Sequence, residues 1–173
     1  MKFDTAIVQS NFQSPLGVIV LAASSKGLVG LWFNDQRHLP RELGGPVVWP
    51  DEPEHPLLKK VSRQLTEYFA GERTRFDVPL DLAYGTAFQQ SVWRALLDIA
   101  PGNTASYGEI SARIGKPSAL RAVGAAVGRN PVSIIVPCHR VVGADGSLTG
   151  YAGGLDRKTA LLKREGALQE TML

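Results

Sequence analysis

The chain has 173 residues, 44% hydrophobic and 20% charged, with a formal net charge of +3 at pH 7. This composition excludes an intrinsically disordered protein, and no apolar run approaches the roughly 20 residues that a membrane-spanning helix needs. The single cysteine, Cys138, excludes an internal disulfide framework and any zinc site with two or more thiolate ligands. The N-terminus lacks the basic and then apolar layout of a signal peptide, so we expect a cytoplasmic protein.

The first third of the chain predicts an antiparallel β-meander. Short runs rich in Val, Ile, Leu and aromatic residues are separated by turn signals that contain Ser, Pro and Gly. These predicted strands cover residues 5–12, 16–23 and 27–33. A polar, proline-rich stretch at 34–56 follows and is predicted as a loop.

One helix and one further strand are predicted before the middle of the chain. Apolar residues recur at three- and four-residue steps over 57–70, which indicates an amphipathic helix that ends at Gly71. Residues 76–82 alternate weakly and indicate a strand. We place a boundary in the linker that follows, so that residues 1–85 form an N-terminal α/β structural domain.

The second half, residues 86–173, predicts a mostly helical domain and an α+β fold for the whole chain. Polar residues that precede helical segments are the predicted N-caps: Thr86, Ser106 and Ser118. The last two would cap helices at 107–114 and 119–128. Two short helices joined by a tight glycine-containing turn have the shape of a helix-turn-helix, although many such hairpins bind nothing. Residues 133–136 indicate a buried strand.

The second helix of this pair is unusually thin. Small residues cover its surface, among them Ala122, Gly124 and Ala125, and Arg121 is its one long cation. Glycine inside a helix costs about 1 kcal/mol relative to alanine, so its presence needs a reason. Tight packing within the protein is one reason, and insertion into a groove is another. In DNA, such a helix suits the minor groove better than the wider major groove.

The charge around this helix is one-sided. No acidic residue lies between Glu109 and Asp145, whereas five basic residues do: Arg113, Lys116, Arg121, Arg129 and Arg140. A locally basic segment in a near-neutral chain indicates contact with a polyanion such as nucleic acid. A solvated face with scattered arginines is the alternative interpretation.

The neighbours of Cys138 favour a reactive thiol over an inert buried one. His139 and Arg140 follow it directly, and adjacent cations lower the pKa of a thiol. Pro137 fixes the backbone just before it. A cysteine with a nearby histidine is a nucleophile-plus-base arrangement that needs a third group to orient the imidazole, and Glu165 is a plausible carboxylate for that role.

The residues around Cys138 resemble those of a known family. The string 137–141 strongly resembles the active-site signature of the O6-alkylguanine-DNA alkyltransferases, also called methylated-DNA–protein-cysteine methyltransferases. The resemblance is close from Thr86 to Gly166 and looser in the N-terminal half. Its further motifs are Phe88-Gln89, Val92-Trp93, Tyr107-Gly108-Glu109, Arg121 to Gly124, Asn130-Pro131 and Gly150 to Gly154.

The resemblance implies a ribonuclease-H-like N-terminal domain and a C-terminal domain that binds DNA and transfers alkyl groups. It implies single-use repair: a monomer without metal or cofactor would bind duplex DNA through the minor groove and flip out the damaged base. O6-alkylguanine, and also O4-alkylthymine, would lose its alkyl group irreversibly to Cys138. Flipping is required because the O6 atom lies inside the base stack.

The resemblance also implies roles for individual residues. Cys138 is the acceptor, His139 takes the thiol proton through a water, Glu165 orients His139, Tyr107 donates to the departing guanine, and Asn130 ties the turn between helix and active site. An alternative for Asn130 is a helix C-cap. The implied DNA contacts are Thr86, Ser106, Tyr107, Arg121, Ala122, Gly124 and Ala125. The implied base pocket is lined by Val127, Ser133, Val141, Tyr151 and Ala152.

The chain departs from the family pattern at two pocket positions, and two other functions remain as alternatives. Ser133 stands where some relatives have proline, and Val127 stands where some have methionine, so the sequence leaves open whether bulky adducts fit the pocket. A non-catalytic helix-turn-helix protein or an alkyltransferase-like damage sensor is the main alternative, and Cys138 argues against it. A Cys-His hydrolase is less consistent with a histidine directly after the nucleophile.

Overall fold

The computed structural model describes residue 3 and residues 6–44 and 48–168. The chain divides into two compact units, Met1–Gly85 and Thr86–Leu173, which are described separately below. The fold is α+β, with an antiparallel sheet in the first unit and mainly helices in the second. No helix in the described part of the chain is long and apolar enough to cross a membrane.

The first unit is built on the predicted meander. Strands β1 (Val8–Ser14), β2 (Gly17–Ala23) and β3 (Leu28–Phe33) pair antiparallel in that order, which confirms the sheet. Position 5, where the first strand was expected to begin, lies outside the described residues. Every residue of β3 is buried, so side chains on both faces of this strand are shielded from water.

Among the described residues of this unit, one α-helix packs on the sheet. Helix α1 (Pro56–Phe69) starts with proline at its first position and contacts β1 and β2 through a buried face that includes Leu58, Val61 and Leu65. The chain leaves the helix through Gly71, whose φ of +79° few other residues adopt. The preceding loop contains a short 3₁₀ turn, Arg41–Leu43, and its residues 45–47 are not described.

The strand predicted at 76–82 is wrong. Only Leu80 pairs with the sheet, through an isolated bridge to Leu28. Earlier in the segment, the side chain of Gln64 bonds to both backbone groups of Asp77, at 3.1 Å and 2.9 Å. A side chain therefore satisfies polar backbone groups that a strand would place in a ladder.

The second unit contains four helices and one small parallel strand pair among its described residues. Their bounds are α2 (Ala87–Leu96), β4 (Ala105–Ser106), α3 (Tyr107–Arg113), α4 (Leu120–Gly128), β5 (Val141–Val142) and α5 (Leu155–Arg164). Helix α2 contacts α3 and α4. Its Trp93, fully buried, donates a hydrogen bond of 2.8 Å to the backbone oxygen of Ala126 in α4.

Two of the three predicted caps are correct. Thr86 and Gln89 form a reciprocal capping box at the start of α2, and the Ser106 hydroxyl accepts from the backbone N–H of Glu109. The cap predicted at Ser118 is wrong, because α4 begins after Ala119 and no side chain caps it.

The strand predicted at 133–136 is also wrong. The segment is a series of tight turns, in which the backbone N–H of Val136 donates to Val132 and that of Ile135 donates to Ser133. Ile134 has a φ of +71°, a conformation that strains a β-branched residue. The run of apolar residues therefore reflects complete burial rather than extended backbone.

The caps provide a matched stability test. Thr86→Ala should lower the free energy of unfolding by about 1 kcal/mol, because it removes a capping side chain. Ser118→Ala removes a hydroxyl that caps nothing and should change it by less than about 0.5 kcal/mol. Urea unfolding of both variants measures the difference, and equal losses would contradict the assigned helix start.

Candidate active site

The cysteine lies in a short 3₁₀ turn, Cys138–Arg140, which we call the cysteine turn. Cys138 is 5% exposed, and its backbone N–H donates to the oxygen of Val136 at 2.8 Å. The chain passes directly from this turn into β5, whose Val141 pairs in parallel with Ala105 of β4. Because β4 leads into α3, this pairing places the cysteine turn beside the start of that helix.

A buried carboxylate joins the other two residues of the cysteine turn. The side chain of Glu165, at the C-terminal end of α5, is 1% exposed and lies 2.9 Å and 3.0 Å from Nε2 of His139. Arg140 binds the same carboxylate through two nitrogens, at 2.8 Å and 3.0 Å. A further nitrogen of Arg140 donates to the backbone oxygen of Ile99 at 2.6 Å. The predicted pairing of His139 and Glu165 is therefore present.

The protonation states follow from this arrangement. Burial raises the pKa of Glu165, but hydrogen bonds from His139 and Arg140 and the adjacent positive charge outweigh burial and lower it to about 2. Burial lowers the pKa of His139 from 6.5, so the imidazole is neutral at pH 7. An ionised carboxylate only accepts hydrogen bonds, so Nε2 carries the proton and Nδ1 is a free base. No described protein group bonds to Nδ1.

The thiol itself is not activated by its sequence neighbours. Burial raises the pKa of Cys138 above 9.0, against smaller opposing effects from a hydrogen bond with Asn130 and the charge of Lys158. The expectation that adjacent His139 and Arg140 lower this pKa is wrong: one is neutral, and the charge of the other is compensated by Glu165. The resting thiol therefore keeps its proton and needs a base.

Asn130 connects the end of α4 to the cysteine turn. Its Oδ1 accepts from the backbone N–H of Val132 at 3.0 Å, and its Nδ2 donates to the backbone oxygen of Val136 at 2.7 Å. The helix cap is Arg129, so the side chain of Asn130 braces the turns before Cys138 rather than capping α4.

Lys158 is a buried residue of the site that the sequence analysis missed. It lies in α5 with no exposed surface, and its Nζ donates to the backbone oxygens of Val141 and Thr149, at 2.6 Å and 3.1 Å. Burial lowers the pKa of Lys158 to about 8. The sequence contains one signal for its burial. Lys158 and Glu165 are seven residues apart and therefore share a helix face with Leu161 and Leu162, which is the buried face of α5.

Tyr107, the first residue of α3, lies between α4 and the segment before α5. Its hydroxyl is 2.9 Å from Oγ1 of Thr149. A Cβ placed on Gly124 of α4 would be 4.0 Å from the Tyr107 ring, an ordinary van der Waals distance. Packing against Tyr107 therefore does not by itself require glycine at this helix position.

The basic stretch divides into surface and interior residues. Arg113, Lys116, Arg121 and Arg129 are exposed on or beside α3 and α4. Arg140 was grouped with them, but it is 6% exposed and pairs with Glu165. It is a structural cation and not part of the basic surface.

The other predicted site residues differ in exposure. Ala122 and Ala125 are exposed on α4, and Thr86 and Ser106 serve as helix caps. Of the predicted pocket residues, Val127, Ser133 and Val141 are buried, whereas Tyr151 and Ala152 are half-buried. Ser133 lies within hydrogen-bonding reach of Cys138.

Family comparisons cover both units. A family model described as 6-O-methylguanine DNA methyltransferase, ribonuclease-like domain, matches residues 7–82. A second, described as the DNA binding domain of the same methyltransferase, matches residues 87–167. A methylated-DNA–protein-cysteine methyltransferase from Methanosarcina acetivorans is 51% identical over 156 residues, which cover 90% of this chain and 96% of the relative.

Solved structures agree with these matches. A crystal structure of the Mycobacterium tuberculosis O6-methylguanine methyltransferase has a TM-score of 0.81 and 47% identity, and covers 96% of each chain. The structure of Mycobacterium tuberculosis OGT in complex with DNA has a TM-score of 0.82 and 48% identity, and covers 92% of this chain and 93% of that one. By sequence and by structure over nearly its whole length, the chain belongs to the 6-O-methylguanine DNA methyltransferase family.

Proposed function

We propose that this chain repairs DNA by moving the alkyl group of O6-alkylguanine, and of O4-alkylthymine, irreversibly to Cys138. The observation that carries the proposal is a buried cysteine beside a histidine whose Nε2–H bonds to Glu165. Relatives of about 50% identity carry the name methylated-DNA–protein-cysteine methyltransferase. We assign binding and transfer to the second unit and a structural role to the first.

The first step activates the thiol. His139 accepts the proton of Cys138 at Nδ1, directly or through a water, and the imidazolium that forms is stabilised by Glu165. Arg140 keeps Glu165 ionised throughout. Lys158 adds a positive charge near the sulfur as the thiolate develops.

The second step is an in-line displacement. The thiolate sulfur forms a bond to the alkyl carbon while the bond from that carbon to O6 breaks, and the electron pair stays on guanine. Tyr107 donates its proton to the departing base, and the proton held by His139 passes through solvent to the Tyr107 oxygen, which restores both side chains. The displacement changes no oxidation state, so the reaction needs no oxidant, reductant or cofactor. The thioether has no leaving group for reversal, so each molecule acts once.

The DNA contact is assigned to α3 and α4. Two features support a minor-groove position for α4: its exposed face carries Ala122 and Ala125, and Arg121 projects from an otherwise thin surface. Cys138 is almost fully buried, so the damaged base must leave the stack to reach it. Arg121 then occupies the gap that the base leaves, as a planar cation able to stack. We also propose that the protein acts as a monomer, because no step described above requires a group from a second chain.

Product mass provides the direct test of transfer. After incubation with a duplex that contains one O6-methylguanine, the intact protein should gain one methyl group, located at Cys138, with one equivalent of substrate consumed. Cys138→Ser should still bind the duplex and gain nothing. A protein that binds without a mass change would be the damage sensor instead, and repeated turnover would contradict single use.

Arg121 is tested against a neighbouring arginine. Arg121→Ala and Arg113→Ala each remove one exposed cation, and both should weaken duplex binding and reduce its salt dependence to a similar degree. Only Arg121→Ala should also slow methyl transfer at saturating duplex, by about tenfold or more, because an unfilled gap makes the flipped state less favourable.

Rapid-quench measurements on duplex and single-stranded substrate complete this comparison. The rate defect of Arg121→Ala should shrink on a single strand, where no stack has to be opened. Equal rates for the two variants on duplex would show that Arg121 only contacts phosphate.

A further inference from the structure

Thr149 lies in the segment between β5 and α5, and its Oγ1 is 2.9 Å from the hydroxyl of Tyr107. Both side chains are half-buried, so the hydrogen bond is partly shielded from water. The bond joins residues 42 positions apart and so links α3 to the segment that precedes α5.

The ring of Tyr107 faces a glycine of α4. A Cβ built on Gly124 would lie 4.0 Å from the ring, at van der Waals distance. Because glycine has no side chain to fix the ring from that side, the direction of the hydroxyl depends on the group at its tip. In the described structure, that group is Thr149.

Thr149 is itself fixed by a buried cation. Nζ of Lys158 donates to the backbone oxygen of Thr149 at 3.1 Å and to that of Val141 at 2.6 Å. One fully buried ammonium therefore ties the Thr149 backbone to the strand that directly follows the cysteine turn. This connection gives Thr149 a defined position relative to Cys138, although the intervening residues 144–147 are exposed.

The hydrogen-bond chemistry determines what Thr149 does during transfer. A phenol has one proton, and when Tyr107 gives it to the departing guanine, its oxygen can only accept. A threonine hydroxyl is both donor and acceptor, so it can rotate and donate to the phenol oxygen as negative charge develops there. Hydrogen bonds to a charged oxygen are stronger than those to a neutral one, so the contact is strongest in the transition state.

We propose that Thr149 is a positioning residue for alkyl transfer: its hydroxyl aims the Tyr107 phenol and donates to the phenol oxygen as that phenol protonates the base. The inference rests on the proposed function, since it deepens the role assigned to Tyr107. Valine at this position would keep the shape and burial of the side chain. It could neither orient the Tyr107 phenol nor donate a hydrogen bond to its oxygen, because it has no hydroxyl.

The test is a double-mutant cycle on single-turnover methyl transfer at saturating duplex. Thr149→Val should slow transfer about tenfold, since it removes one hydrogen bond to a developing charge. Thr149→Ser keeps the hydroxyl and should restore most of the rate. The dissociation constant for the duplex, measured in a Cys138→Ser background, should change by less than about twofold, because the contact is made inside the protein.

The second arm of the cycle uses Tyr107→Phe. In that background, Thr149→Val should have no further effect on the rate, because the phenol oxygen that it serves is gone. If the valine variant does not fold, Thr149→Ala compared with Thr149→Ser gives the same contrast.

The outcomes separate this inference from the proposed function. A normal rate for Thr149→Val, or an equal slowing in both Tyr107 backgrounds, overturns the positioning role and leaves repair by Cys138 intact. A normal rate for Tyr107→Phe overturns both the proton donation by Tyr107 and the inference. Failure of the unmodified protein to gain a methyl group overturns the proposed function itself.

Discussion

The site depends on one buried carboxylate. The side chain of Glu165 is almost fully buried, so its charge must be compensated inside the protein, and Arg140 does so through two hydrogen bonds. With that charge fixed, the contact of the carboxylate with Nε2 of His139 determines which ring nitrogen carries the proton. The salt bridge between Arg140 and Glu165 keeps the carboxylate ionised, and the ionised carboxylate holds the His139 proton on Nε2. Nδ1 is left without a proton and can act as a base.

Three further buried groups hold the cysteine turn in place around this pair. Asn130 connects the turns before Cys138 to the end of α4, and Lys158 connects the strand after it to α5. The pairing of Val141 with Ala105 places the cysteine turn and β5 next to the start of α3. The helices assigned to DNA contact and the residues assigned to chemistry are therefore connected by a few hydrogen bonds.

Local signals explain what the sequence could predict. The meander, α1 and the caps at Thr86 and Ser106 depend on residues close together in the chain, and they are confirmed. The strand predicted at 133–136 failed because an apolar run looks the same whether it is extended or folded into turns that Asn130 braces. Pairings across long separations leave little local signal, so the sequence groups Arg140 with the basic stretch and does not indicate the roles of Lys158 and Thr149. Glu165 is a candidate partner of His139 because a Cys-His pair needs a carboxylate to orient the imidazole, and the family resemblance implies the same pairing.

The protonation state of His139 tests the central claim most directly. Nitrogen-15 NMR of histidine-labelled protein, with His139 assigned by comparison with His139→Gln, distinguishes the two neutral tautomers and the imidazolium. The ring should be neutral at pH 7 with its proton on Nε2, and its titration midpoint should lie below 6.5, because burial lowers this pKa. A proton on Nδ1, or an imidazolium that persists at pH 7, would contradict this assignment, since His139 could then not accept the proton of Cys138.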